Sequence, residues 1–134
     1  MESEVRIPIN SDQDIVTARQ QGRGLATKLG FNGSDLTVIA TAISEVARNI
    51  VEFAGHGEIV LTPIHQSHKK GVMVVARDEG PGIPNINLAL QDGFSTTASL
   101  GLGLPGSRRL MDEFTIVSAV GKGTTVTMKK WVRG

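Results

Sequence analysis

The chain has 134 residues, 40% of them hydrophobic and 20% charged, with a net charge of +1 and no cysteine. A chain of this length buries roughly two thirds of its unfolded surface and is expected to form one domain, residues 1–134. The balanced charge excludes the broad basic field of a nucleic-acid binder, and the lack of cysteine excludes disulfides and thiolate zinc sites. No apolar run reaches the ~18 residues of a membrane span, and Met1-Glu2-Ser3-Glu4 is no signal-peptide core. The expectation is a cytoplasmic protein with no nucleic-acid or membrane partner.

Val5, Ile7 and Ile9 alternate with polar neighbours and Pro8, the pattern of a strand with one buried face. Pro8 lacks a backbone donor, which places that strand at a sheet edge. Ser11 with Asp14 three residues on opens a helix in a variant of the capping box. Ile15, Ala18, Gly22, Leu25, Ala26 and Leu29 then recur at helical spacing as far as Gly30, a C-cap signal. Ser34 or Asp35 begins a second helix, with Leu36, Ile39, Ile43, Val46, Ala47 and Ile50 as its apolar stripe and Gly55 and Gly57 at its close.

Glu45 and Asn49, four residues apart on that helix, share a face. The plain reading is a solvated face with Glu45 paired to Arg48. Against it, Asn has modest helix propensity and competes for backbone hydrogen bonds, so among apolar neighbours its amide needs a partner.

Residues 58–64 and 71–76 read as a hairpin with 65–70 as a polar turn. His56, His65 and His68 fall at exposed positions without metal-site spacing. Asp78 ends the second strand at a glycine cluster, Asp78-Glu79-Gly80-Pro81-Gly82. A short helix is expected over 86–90. A polar segment containing Ser95 to Leu100 leads to a second cluster, Gly101-Leu102-Gly103-Leu104-Pro105-Gly106. Glycine clusters let a backbone approach a ligand closely and aim N–H groups at phosphate, and a following helix N-terminus favours anions. A helix from Pro105 to about Glu113 follows, then strands over 114–120 and 124–132 joined by a Gly121-Lys122-Gly123 turn. Hairpins dominate the connections, so the fold class is α+β, a two-layer sandwich of a mixed, largely antiparallel sheet with helices on one face.

Two familiar phosphate motifs fail. Ser107 stands where a Walker A loop has lysine. The Gly101, Gly103 and Gly106 spacing follows a polar segment and not the strand that a dinucleotide fingerprint needs.

Four elements together resemble the GHKL ATPase superfamily: Glu45-x-x-x-Asn49, Asp78-x-Gly80-x-Gly82, Gly101-x-Gly103, and Gly121-x-Gly123-Thr124-Thr125. Within it, the chain is most similar to the RsbT-type switch kinases of the bacterial stressosome. That likeness is carried by Asp14 to Gln20, Ala42 to Ile50, Asp92 to Thr96, Gly103 to Gly106 and Arg109 to Phe114. Kinases of the anti-sigma branch typically carry arginine two residues before the glycine pair; here Ser99 stands there, which favours the switch branch. A helical phosphoacceptor region with a suitable histidine is not seen, which disfavours a histidine kinase.

The resemblance implies the Bergerat ATP-binding fold and an ATP- and Mg²⁺-dependent serine/threonine kinase. It implies that Asp78 takes the adenine amino group, with Gly80 and Gly82 beside the base and Thr124 or Thr125 completing the adenine edge. Amides of Gly101, Leu102 and Gly103 would hold phosphates, Asn49 would ligate Mg²⁺, and Glu45 would be the general base. The segment from Ser95 to Leu100 would be an ATP lid. The implied substrate is a Ser or Thr on a STAS-domain scaffold or antagonist protein of a stressosome-like assembly, with a phosphatase or other output protein downstream. Arg19, Arg23 and Arg48 are candidate partner contacts. The alternative is an anti-sigma-type, nucleotide-dependent binding module that sequesters a partner.

Overall fold

The computed structural model describes residues 4–82 and 103–133. The expected short helix over 86–90, the lid over 95–100, and Ser99, Gly101 and Leu102 lie outside the described residues. Five strands form one sheet: β1 (Val5–Ile9), β2 (Gly57–Gln66), β3 (Lys69–Asp78), β4 (Glu113–Ala119) and β5 (Gly123–Trp131). The helices are α1 (Asp12–Leu29), α2 (Gly33–Phe53) and α3 (Gly103–Leu110). The strand order is β1-β2-β3-β5-β4.

The sequence predicts a mixed, largely antiparallel sheet; every described pairing is antiparallel. The β1–β2 link runs through both long helices, yet β1 returns antiparallel at the edge, where Pro8 sits opposite Glu58. The expected edge position for Pro8 is therefore observed.

Register sorts the strands into two faces. Ile7, Ile59, Ala76 and Val126 form one row of partners, and Leu61, Val74 and Met128 lie in the next row on the same face. These side chains are almost fully buried and join the helix residues in one apolar cluster. On α2 the stripe Ile39, Ile43, Val46, Ala47 and Ile50 is at most 1% exposed. Each large member contributes about 1.5–3 kcal/mol relative to an exposed position, which makes α2 the helix that organises the core.

Local signals explain most boundaries. The Asp14 carboxylate accepts the backbone N–H groups of Asn10 and Ser11 at 2.8 and 3.2 Å, closing the start of α1. Gly30 ends it in the left-handed region, φ 94°. The start of α2 differs from expectation. Its N-cap is Asn32, whose Oδ1 accepts the N–H of Asp35 at 2.8 Å; Ser34 and Asp35 already lie inside the helix.

The β2–β3 hairpin is longer than its side chains suggest. Only Ser67 and His68 form the turn, with Ser67 at φ 54°, and His65 pairs with Lys70 across the ladder. Ladder hydrogen bonds use backbone groups, so an exposed pair of strand ends tolerates polar side chains. All three histidines are exposed. Helix α3 starts at Gly103 and stops at Leu110, because Glu113 is already paired with Lys129.

The cap assignment is testable by urea unfolding. Asn32→Ala is expected to cost about 1 kcal/mol, whereas Ser34→Ala is expected to stay within about 0.5 kcal/mol of the parent.

Candidate functional site

One row crosses the end of the sheet where β3 finishes. Ile9, Gly57, Asp78, Thr124 and Ser118 are successive partners across five strands. All lie on the face that carries the helices. Asp78 is half-buried and Thr124 is 6% exposed. Ser118 Oγ lies 2.8 Å from Thr124 Oγ1 and donates to the Gly123 carbonyl at 3.0 Å. Thr125 alternates to the opposite face, between Arg77 and Val117. Of the two threonines, Thr124 shares the face of Asp78.

The carboxylate of Asp78 is held by its own loop. Its Oδ1 accepts the Gly80 N–H at 2.9 Å, a local turn of the kind Asp favours. This leaves the second carboxylate oxygen as an acceptor with a fixed direction. Gly80 and Gly82 have a structural role within the chain itself. A Cβ on Gly80 would lie 2.6 Å from the Ala54 Cβ. Gly82 adopts φ 81°, and a Cβ there would collide with the Ala119 carbonyl oxygen. The neighbouring Pro81 carbonyl accepts the Gly121 N–H at 2.8 Å. The first glycine cluster is thereby stitched to the β4–β5 turn on one side and to the end of α2 on the other.

Helix α2 carries the second half of the site. Its residue Ile50 approaches Gly57 and its C-cap Ala54 approaches Gly80, so its last turns lie over the Asp78 row. Asn49, beside Ile50, is half-buried. Glu45, one turn earlier, is 8% exposed. Its Oε1 accepts from Arg48 Nη1 at 3.0 Å. The ion pair of the plain reading therefore exists, but the face is not solvated. Helix α3 packs against α2 with Leu104 and Ser107 buried, and Glu45 lies in a helix covered on more than one side. A carboxylate in such a place has a defined direction and little competing water.

Helix α3 begins at Gly103, the described end of the second glycine cluster. Of its first four residues, Gly103, Leu104 and Gly106 carry backbone N–H groups without partners within the helix, and Pro105 has none to satisfy, an arrangement suited to an anion. Among the described residues no group of three or more His, Asp or Glu is placed to hold a metal. Asn49 offers one neutral oxygen, which suits a cation that keeps phosphate and water as most of its ligands. The donor set fits Mg²⁺ delivered with a nucleotide.

Ser118 escaped the sequence reading, although a signal was present. Phe114 and Ile116 face the core in β4, and Ser118 takes the next place on that same face where an apolar side chain would be usual. Arg19 and Arg23 are exposed on α1, while Arg48 is part-buried against Glu45.

The model of the histidine kinase-like ATPase domain matches residues 9–130; the chain belongs to this family. It is 50% identical over 127 residues to the serine/threonine-protein kinase RsbT of Bacillus subtilis, covering 95% of this chain and 96% of that protein. It is 38% identical over 118 residues to an anti-sigma F factor of Geobacillus stearothermophilus, covering 84% and 81% of the two chains. Among solved structures, the RsbU and RsbW domains of a Mycobacterium tuberculosis protein superpose with a TM-score of 0.68 at 23% identity. That match covers 98% of this chain and 33% of the other, so this chain spans a third of that one. The mycobacterial sensor histidine kinase MprB matches with a TM-score of 0.57 at 16% identity, over 99% of both chains. These two structures share the α+β fold described above.

The stitching of the first glycine cluster carries a prediction that needs no ligand. Gly82→Ala is expected to lower the unfolding free energy by more than about 1 kcal/mol, read by denaturant titration without nucleotide.

Proposed function

We propose that this chain is an ATP-dependent serine/threonine protein kinase acting as a partner switch, with residues 1–134 as one catalytic domain. The observation that carries the reading is the placement of Glu45 and Asn49 on α2, whose last turns lie over the row holding Asp78 and Thr124. The identity to a serine/threonine-protein kinase over 95% of the chain supports the same activity.

In this reading Asp78 accepts the adenine amino group with the oxygen not used by Gly80. Thr124, oriented by Ser118, completes that edge in preference to Thr125. Gly80 and Gly82 keep the loop close enough to form the wall beneath the base. The amides at Gly101, Leu102 and Gly103 hold the phosphates. Bound ATP would supply the phosphoryl group and Mg²⁺ would neutralise its charge, with Asn49 offering one protein oxygen to the cation. Glu45 takes the proton from the substrate hydroxyl. Phosphoryl transfer depends mainly on positioning and charge neutralisation, so this small set suffices.

The substrate we assign is a Ser or Thr on a STAS-domain scaffold or antagonist protein of a stressosome-like assembly. Release from that scaffold would free the kinase to engage a phosphatase or other output protein in the cytoplasm. The likeness to anti-sigma F factors supports a second reading, a nucleotide-dependent module that sequesters a partner with little turnover. Incubation with Mg-ATP and a STAS-domain protein separates the two: a phosphorylated Ser or Thr on the partner favours the kinase, and stoichiometric, nucleotide-dependent capture without it favours the module.

The two halves of the site are expected to fail differently. Glu45→Ala should lower transfer by about 10²–10⁴-fold while calorimetric ATP affinity stays near that of the parent. Asp78→Asn should do the reverse, weakening nucleotide binding first. Wild-type transfer by Glu45→Ala would remove the base assignment, and unchanged affinity in Asp78→Asn would remove the adenine role.

A further inference from the structure

At the end of β5 remote from the Asp78 row, a lysine is buried among core residues. Lys130 is 5% exposed and lies opposite Val72, on the face occupied by Met128. Its Nζ donates to the Leu110 carbonyl, the last residue of α3, at 3.1 Å. The same ammonium sits 3.5 Å from Asp112 Oδ1. Asp112 in turn is tied to β5 twice more: its Oδ2 accepts the Trp131 N–H at 2.9 Å, and its own N–H donates to the Lys129 carbonyl at 2.9 Å. Arg133 approaches Oδ1 at 3.5 Å.

An ion pair anchored on a buried lysine is a poor means of stabilising a core, because desolvating the ammonium offsets much of its attraction to Asp112, whose side chain is 25% exposed. Its advantage is direction. Here the pair fastens the C-terminal end of α3 to one point on the sheet. The Leu110 carbonyl is one of the helix-end acceptors that lack partners within the helix, and a lysine at that end also complements the helix dipole.

The other end of α3 is Gly103. The helix has 8 residues, about 12 Å of length at 1.5 Å per residue, so a tilt of about 10° about the tether moves its N-terminus by about 2 Å. A displacement of that size is enough to spoil phosphoryl positioning.

We propose that Lys130 and Asp112 form a positioning brace that aims the N-terminus of α3 at the nucleotide phosphates, from the far end of the sheet. This rests on the nucleotide reading of the site above. Neither residue touches the nucleotide; both act through the helix.

The test compares ATP with adenosine, which lacks the phosphates, by calorimetry on the full chain. Lys130→Met keeps the length of the side chain beside Met128 and removes its charge. The expected result is a folded protein whose adenosine affinity is within about twofold of wild type, with ATP affinity and partner phosphorylation each at least about tenfold lower. Lys129→Met, which removes the ion pair to Glu113 on the opposite face, should leave both affinities unchanged. An unaltered ATP-to-adenosine ratio in Lys130→Met would overturn the proposal, as would an equal loss for both ligands, the mark of general loosening. If Lys130→Met does not fold, Asp112→Asn is read in the same way, since its amide keeps an acceptor for the Trp131 N–H. A wild-type chain that binds adenosine and ATP equally would instead overturn the phosphate reading of the site.

Discussion

Helix α2 has to satisfy two demands along the same 21 residues. Its stripe from Ile39 to Ile50 must fill the space above the sheet. Its flank must hold Glu45 charged or hydrogen-bonded in a place water barely reaches. The first demand is met by apolar burial, which is non-directional and tolerant of small shifts. The second is met by Arg48 one turn on, at 3.0 Å, which is directional and intolerant of them. Because the stripe fixes the rotation of the helix, it also fixes where Glu45 and Asn49 point. The orientation of Glu45 and Asn49 is thus a consequence of core packing, and a change at Ile43 or Val46 that rotates the helix also moves the carboxylate.

The sheet supplies the complementary half by register alone. Asp78, Thr124 and Ser118 are brought together by the β3–β5 and β4–β5 ladders, and a one-residue slip would turn all three to the other face. Gly82, with its left-handed backbone against Ala119, and the Gly121 to Pro81 hydrogen bond hold the loop to the β4–β5 turn. Two long-range devices, a packed helix and a locked register, therefore meet at Gly57, Asp78 and Gly80, where the last turns of α2 lie over the sheet.

Much of this was legible in the residues. Period-2 alternation at Val5, Ile7 and Ile9, and helical spacing from Ile39 to Ile50, placed the elements and the edge role of Pro8. The motif spacing singled out Glu45, Asn49 and Asp78. What escaped was set by tertiary contacts. Asn32, Ser34 and Asp35 are all capping residues within four positions, and only the bond from Asp35 N–H to Asn32 Oδ1 distinguishes them. The polar side chains of residues 65–70 concealed ladder pairing that uses backbone alone. Thr124 and Thr125 are adjacent and chemically equal, and strand parity separates them. Glu45 is buried on a helix against which α1 and α3 both pack, and no local pattern encodes those contacts.

The central claim is that the α2 flank and the Asp78 row surround one nucleotide. Titration of the ¹⁵N-labelled chain with Mg-ADP tests it most directly, by following backbone amide shifts. The account predicts that Asn49, Gly80 and Thr124 shift together and fit a single dissociation constant. Shifts confined to the shallow cavity at the β2–β3 turn, lined by His65, His68, Lys69 and Lys70, with Asn49 and Thr124 unmoved, would contradict it.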